Sequence, residues 1–416
     1  MGRTGSTRQR SRNSRSNPGT PFRGGDPLTI FDGLCVQTLV EEGREVVATG
    51  DPLDAEMWVS HLLGMFSGLP LVGKADAAEA IGGRLVSVAQ KRRTPEAQMC
   101  LRAIAAVAGD GLARRAKKAI ASLGTAATQV PAWTKMIGAA KATSAWRASD
   151  LCGDQDSVMV AFRYPDGTEH CLLVLIDHLL GGIAKDVAIL SSPLAETLQQ
   201  WEGPEFDLVE EGVAEAASRV MAAVGVTART IAAPITEDYT EAVALLSARF
   251  GPVAADLDVP APLAVAERED LVRQFLAAEP GRKFADDPDA WFLLDALVDF
   301  RCDAGADPLR WSDSAVELFL LHWVPRKLSA EEIVLQRAPE VLRAWVPWAS
   351  ACARLPAFLV EEALDAIDEI GDEALKALSD QSRWGPAKQV AMRMLADGVD
   401  PADGDAVDEW LLNRVG

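Results

Sequence analysis

At 416 residues and 49% hydrophobic content, the chain is too long for one typical core and is expected to divide into two or three domains. Its formal charge of −20 is uneven: residues 1–25 hold Arg3, Arg8, Arg10, Arg12, Arg15 and Arg23 and no acid, so the remainder carries 35 basic against 61 acidic residues. An acidic body repels phosphate backbones, which argues against a nucleic-acid-binding fold, and no apolar run reaches the roughly eighteen residues of a membrane span or forms the h-region of a secretory signal. A cytoplasmic protein is therefore expected, with its six scattered cysteines reduced.

In chain order, residues 1–26 read as a disordered, Arg- and Ser-rich arm, with too little apolar surface to offset the entropy of ordering. Such an arm either solubilises the chain or contacts RNA or DNA through its arginines. Residues 27–146 read as an N-terminal helical domain. Asp51-Pro52 and Thr94-Pro95 each make a cap followed by a first-turn proline, and each opens an apolar helical pattern. Arginine and alanine are abundant throughout, a bias associated with GC-rich bacterial coding.

Between Ser157 and Leu190 the period changes to two. Val158, Val160, Phe162 and Tyr164 alternate with Met159, Ala161 and Arg163, and Pro165-Asp-Gly-Thr168 supplies a turn with glycine where a positive φ is needed. The returning run Cys171–Ile176 is apolar at every position, so both its faces should be covered, and Val187–Leu190 follows the Gly181-Gly182 break as a third strand. The fold expected is mostly α (α+β), with helical domains around a small buried antiparallel β-meander at about 157–190. Residues 150–250 then hold that sheet plus helices, including Phe206–Val224 read as helical. A Pro-rich linker at 251–263 precedes a C-terminal helical domain, 264–416. In that domain Ser312 reads as a cap, Ser329 with Glu332 as a capping box, and the tryptophans as core.

Tests for chemistry eliminate most signatures. Gly68 to Ala75 nearly matches a phosphate loop, but Ala75 cannot ligate magnesium and Pro70 removes a cradling N–H. There is no GxSxG, HExxH or GxGxxG run, and no cofactor is implied. The acids Asp400, Asp403, Asp405 and Asp408 miss the spacing of a calcium loop. Histidines are few. His61 and His322 lie in apolar helices, whereas His170 and His178 lie in the β segment; on one strand they would stand about 26 Å apart at ~3.3 Å per residue, too far to share an ion. What remains is the turn end, where Asp177, His178 and Asp186 are the candidate catalytic or metal-ligating residues; read otherwise, Asp177 caps the turn and the others are solvated.

The run YPDGTEHCLLVLIDHLLGGIAKDVAIL, with WSDSAVELFLLHWVPRKL and VLRAWVPWA, resembles segments of an uncharacterised family of bacterial proteins of unknown function. That resemblance implies no activity. Helical domains, an acidic body and missing catalytic motifs favour a helical protein-interaction or assembly module with a protein partner. The alternatives are a metal-assisted hydrolase using Asp177, His178 and Asp186, and RNA or ribosome association through the basic arm.

Overall fold

A computed structural model of the chain describes residues 33, 36–39, 41–65, 77–123, 130–192, 194–255, 263–400 and 403–415. The arginine arm, the phosphate-loop lookalike and most of the Pro-rich linker lie outside them. The fold is mostly helical around one five-stranded antiparallel sheet.

Among the described residues, the helices that precede the sheet include α1 (Glu42–Thr49), α2 (Pro52–Gly64), α3 (Ala77–Arg92), α4 (Pro95–Val107) and α5 (Asp110–Leu123). The starts read from sequence are used: Asp51 accepts the Leu53 N–H and Thr94 the Ala97 N–H, each ahead of a first-turn proline. The helices bury Trp58, Leu101, Ile104 and Leu112 among one another.

The sheet runs β4-β3-β2-β1-β5, from β1 (Lys141–Asp150), β2 (Gln155–Arg163), β3 (Glu169–Asp177), β4 (Ile183–Leu190) and β5 (Phe206–Glu211). Its centre is the expected hairpin, closed by Gly167 at φ 94°. Two strands are additions to the sequence reading. Lys141–Asp150, read as the end of a helical stretch, is β1; Phe206–Glu211, read as the start of a helix, is β5, and the helix starts only at Val213.

Both faces of the centre are covered, as its unbroken apolar run requires. On one face Val158, Val160, Phe162, Leu172 and Val174 pack against α7 (Val213–Arg229) and α8 (Glu237–Phe250). On the other, Met159, Ala161 and Cys171 pack beneath Leu194 and Trp201, at and just after α6 (Leu194–Leu198).

Beyond the sheet come α9 (Val265–Ala277), α10 (Pro288–Asp303), α11 (Asp313–Glu317), α12 (Val324–Lys327), α13 (Glu332–Leu335), α14 (Ala338–Ala353), α15 (Ala357–Ser379), α16 (Pro386–Ala396) and α17 (Gly404–Val415). A π-helical stretch, Leu318–Trp323, joins α11 to α12. Ser312 caps α11, but α13 opens at Glu331, so Ser329 is not its cap. Trp311 and Trp345 are core, and both indole N–H groups donate to the Pro308 carbonyl, at 2.9 and 3.2 Å. His322 and His61 are exposed or half-exposed rather than core, with His61 paired to Glu241 at 2.9 Å. Cys100, Cys152, Cys171 and Cys302 are free and buried; Cys352 is free and exposed.

Two buried polar clusters tie these parts together. In the first, Glu56 of α2 accepts from Arg249 of α8, from the Tyr164 hydroxyl at 3.0 Å and from the Gly138 N–H at 2.6 Å. In the second, the β1–β2 turn enters the C-terminal helices: Asp154 accepts from Arg301 at 2.7 Å and from Ser312, while Arg310 donates to the Leu151 carbonyl at 2.5 Å. Burial pushes the carboxyls of Glu56 and Asp154 up from their ordinary values, against the opposing pull of Arg249 and Arg301.

Helix α2 crosses α8 closely, because Ser60 donates to the Glu241 carbonyl and accepts the Leu245 N–H. Gly64 allows that approach; a Cβ there would overlap the Thr240 carbonyl. Gly64→Ala should therefore lower stability by about 1–3 kcal/mol, the usual range for overpacking, in urea-unfolding midpoints. An unchanged midpoint would show that the crossing can widen at no cost.

Candidate functional site

The structure does not bring Asp177, His178 and Asp186 together. Asp177 is buried, accepts the Leu180 N–H at 3.1 Å and holds Lys185 at 2.9 Å, so it does cap its turn. Asp186 accepts from the Thr236 hydroxyl at 2.6 Å and the Val187 N–H at 2.9 Å. His178 turns to a third partner, Asp156, with its Nε2 3.0 Å from Oδ2. His170 is far from solvent, stacked on Phe162, with neither ring nitrogen hydrogen-bonded among the described residues.

Hairpin register makes the His178 pair. Gln155 stands opposite Asp177, and the His178 N–H donates to the Asp154 carbonyl at 2.8 Å, which sets the imidazole beside Asp156. Alternation along β1 and β2 places Arg147, Ser149 and Asp156 on the face of Ala145, Val158 and Val160. The apolar face thus ends in a polar patch. Ser149 donates to Asp156 and accepts from Arg147, whose Nη1 is also 3.4 Å from Asp156. On its other side Arg147 lies 3.8 Å from Glu211, which Arg219 approaches at 3.4 Å.

Burial alone would raise the Asp156 carboxyl. Hydrogen bonds from His178 and Ser149, with the charges of His178 and Arg147, outweigh it and bring the pKa down to about 2. An ionised carboxylate only accepts, so His178 Nε2 carries the proton of the hydrogen bond to Asp156. Glu211 shifts the other way: burial raises it, opposed by Arg219 and Arg147.

The patch forms one wall of a cleft of about 690 Å3. Asp150 and Asp207 also line it, as do Asp307, Arg310 and Arg354, which lie between and after the C-terminal helices. Ser149 gives its proton to a carboxylate rather than to an imidazole, so it is not an activated nucleophile of the Ser-His-Asp type. Burial, with Asp154 and Asp150, pushes the Cys152 thiol up to about 12, so this cysteine stays protonated and unreactive. What the arrangement can do is hold a proton at His178 and present charges of both signs.

Sequence reasoning found His178 and missed Arg147, Ser149, Asp156, Asp207, Arg310 and Arg354. The usable signal was register: extending the hairpin outward from its Asp-Gly turn puts position 178 level with 154–156. Comparison of the chain with protein-family models, with curated proteins and with solved structures finds no match.

Proposed function

We propose that the chain is a protein-interaction module that takes up an extended, basic segment of a partner protein along the outer edge of β4. The observation that supports this is a groove of about 520 Å3 where that edge meets α2 and α8, lined by Val187, Ala188 and Ile189 of β4, by Met57, Trp58 and His61 of α2, and by Asp238, Glu241, Ala242 and Leu245 of α8. β4 is the last strand of the sheet, and a sheet edge is a template for another strand.

Part of the edge is closed. The Lys185 carbonyl accepts the Thr236 N–H at 3.0 Å, and the Val187 N–H is taken by Asp186. By the alternation of an antiparallel ladder, Ile189 then turns its N–H and C=O away from β3. Asp238 stands exposed on the rim with no partner among the described residues, which favours a lysine or arginine in the guest. The hydrolase alternative needs Asp177, His178 and Asp186 on one ion, and their three separate partners weigh against it.

Selection from a random peptide library on the purified chain tests the reading. Enriched peptides should carry a basic residue among β-branched ones, and both Ile189→Pro and Asp238→Lys should weaken them about tenfold or more. The first change removes an edge donor, and the second reverses the rim charge. Peptides that bind both variants as well as the parent would refute the assignment.

A further inference from the structure

We propose that the occupant of the β4 groove is the chain's own N-terminal arm, whose Arg8, Arg10 and Arg12 lie against the acids of the groove and keep other segments out of it. This names the guest of the groove described above and rests on that reading.

Charge selects the occupant. The groove is lined by Asp238 and Glu241 of α8, and a smaller cavity of about 290 Å3, which shares His61 with it, adds Glu42. Among the described residues neither lining contains a lysine or an arginine. Glu241 meets His61 at 2.9 Å and Glu42 accepts from the Trp58 indole N–H at 2.9 Å, whereas Asp238 is exposed and has no partner among the described residues. Residues 1–25 carry six arginines and no acid, in a chain of net charge −20. The arm is therefore a cationic segment already attached to an anionic groove.

Spacing agrees with charge. Arg8, Arg10 and Arg12 are alternate residues, so in an extended strand they share one face about 6.6 Å apart. Asp238 and Glu241 are three apart on a helix, which sets their side chains about 5–6 Å from one another. Neighbouring arginines of the arm thus match neighbouring acids of α8, with Gln9 and Ser11 on the opposite face. Residues 3–17 contain no proline, so each has an N–H for the open part of the β4 edge at Ile189. Trp58, which lines the groove, offers an aromatic ring on which a guanidinium stacks better than an ammonium.

The tether is short and starts in the right place. Thr38 lines the smaller cavity and α1 opens at Glu42 beside it, so the arm joins the described chain where the two cavities adjoin. Arg12 precedes Thr38 by 26 residues, which span up to about 85 Å at ~3.3 Å each, far more than two adjoining cavities of this size require. A tethered segment acts at an effective concentration on the order of 1 mM. An arm that binds with a Kd of about 0.1 mM as a separate peptide would then fill the groove roughly nine-tenths of the time and weaken any competitor about tenfold.

The test compares the full chain with a variant of the full chain carrying Arg3→Gln, Arg8→Gln, Arg10→Gln, Arg12→Gln, Arg15→Gln and Arg23→Gln; matching thermal melting will show that both are folded. The probe is a fluorescent synthetic peptide of residues 1–26, titrated at about 0.1 M salt to limit long-range attraction. It should bind the variant, and bind the parent about tenfold or more weakly because the parent's own arm competes. Adding Asp238→Lys to the variant should weaken the peptide about tenfold. A photo-crosslinking residue in place of Gln9 should label β4, α2 or α8 of the same chain. Equal binding to parent and variant, binding indifferent to Asp238→Lys, no binding up to about 1 mM, or crosslinks only between chains, which would make a second copy the donor, would each overturn the proposal. The two readings fail separately. If library peptides depend on Ile189 and Asp238 while residues 1–26 do not bind, the groove stands and its occupant is wrong; if no peptide depends on them, both fall.

Discussion

Arg301→Met is expected to destabilise the chain by about 3–5 kcal/mol, the range seen when one partner of a buried ion pair is removed. Arg301 is fully buried and donates to Asp154 at 2.7 Å and to the Cys152 carbonyl at 3.3 Å, with its guanidinium 5.9 Å from the Trp311 ring centre. Methionine fills much of the volume but leaves the Asp154 carboxylate in the interior with only Ser312. Adding Asp154→Asn should recover a large part of the loss, because the uncompensated charge is then gone. Burial already raises the Asp154 carboxyl and Arg301 opposes that rise, so in the single variant the group takes up a proton more readily. The penalty should accordingly shrink as pH falls. Urea unfolding of the parent, both singles and the double variant at two pH values provides the measurement; a single-variant loss below about 1 kcal/mol, the level of an exposed pair, would contradict it.

The second large effect concerns His170. Its ring is buried between Phe162 and Tyr164, with centroids at 5.5 and 5.4 Å, and burial, aided by the charge of Arg249, lowers its pKa from 6.5 to about 4. The unfolded chain therefore takes up a proton that the folded chain refuses. Stability associated with this residue is complete above pH 6.5, falls as the pH drops from there and is lost below about 4, a total of about 3 kcal/mol. His170→Phe keeps an aromatic ring in the stack and removes the titration. Its pH–stability curve should flatten between pH 6.5 and 4 relative to the parent, while at neutral pH the two differ by less than about 1.5 kcal/mol. Parallel curves would mean that water or a rotamer change lets His170 protonate in place.

The fold was legible where local chemistry and tertiary environment agreed. The Asp166-Gly167 turn, the alternation before it and the unbroken apolar run after it all state one hairpin, and the capped helix starts at Asp51 and Thr94 need nothing distant. β1 and β5 were hidden for a physical reason. Lys141–Asp150 reads KATSAWRASD and Phe206–Glu211 reads FDLVEE, sequences of small, charged or helix-favouring residues that become strands because β2 and β1 offer them a ladder. The site was legible only at His178. Asp156 lies 22 residues upstream and meets it through register, whereas Arg310 and Arg354 arrive from connections between C-terminal helices that share no local pattern with the sheet.

The plug of the β1–β2 turn into the C-terminal helices also bears on the order in which the chain is made. Asp154 precedes Arg301 by 147 residues, and Leu151 precedes Arg310 by 159, so on a ribosome the sheet can be synthesised well before the guanidiniums that bond its tip. During that interval the turn carries a carboxylate suited to water, and burying it early would be unfavourable. The hairpin can form at once from its own contacts, but its tip has reason to stay solvated until α10 emerges. Closure of the C-terminal core is thereby tied to the completion of the sheet, and a later segment determines when an earlier one is finished.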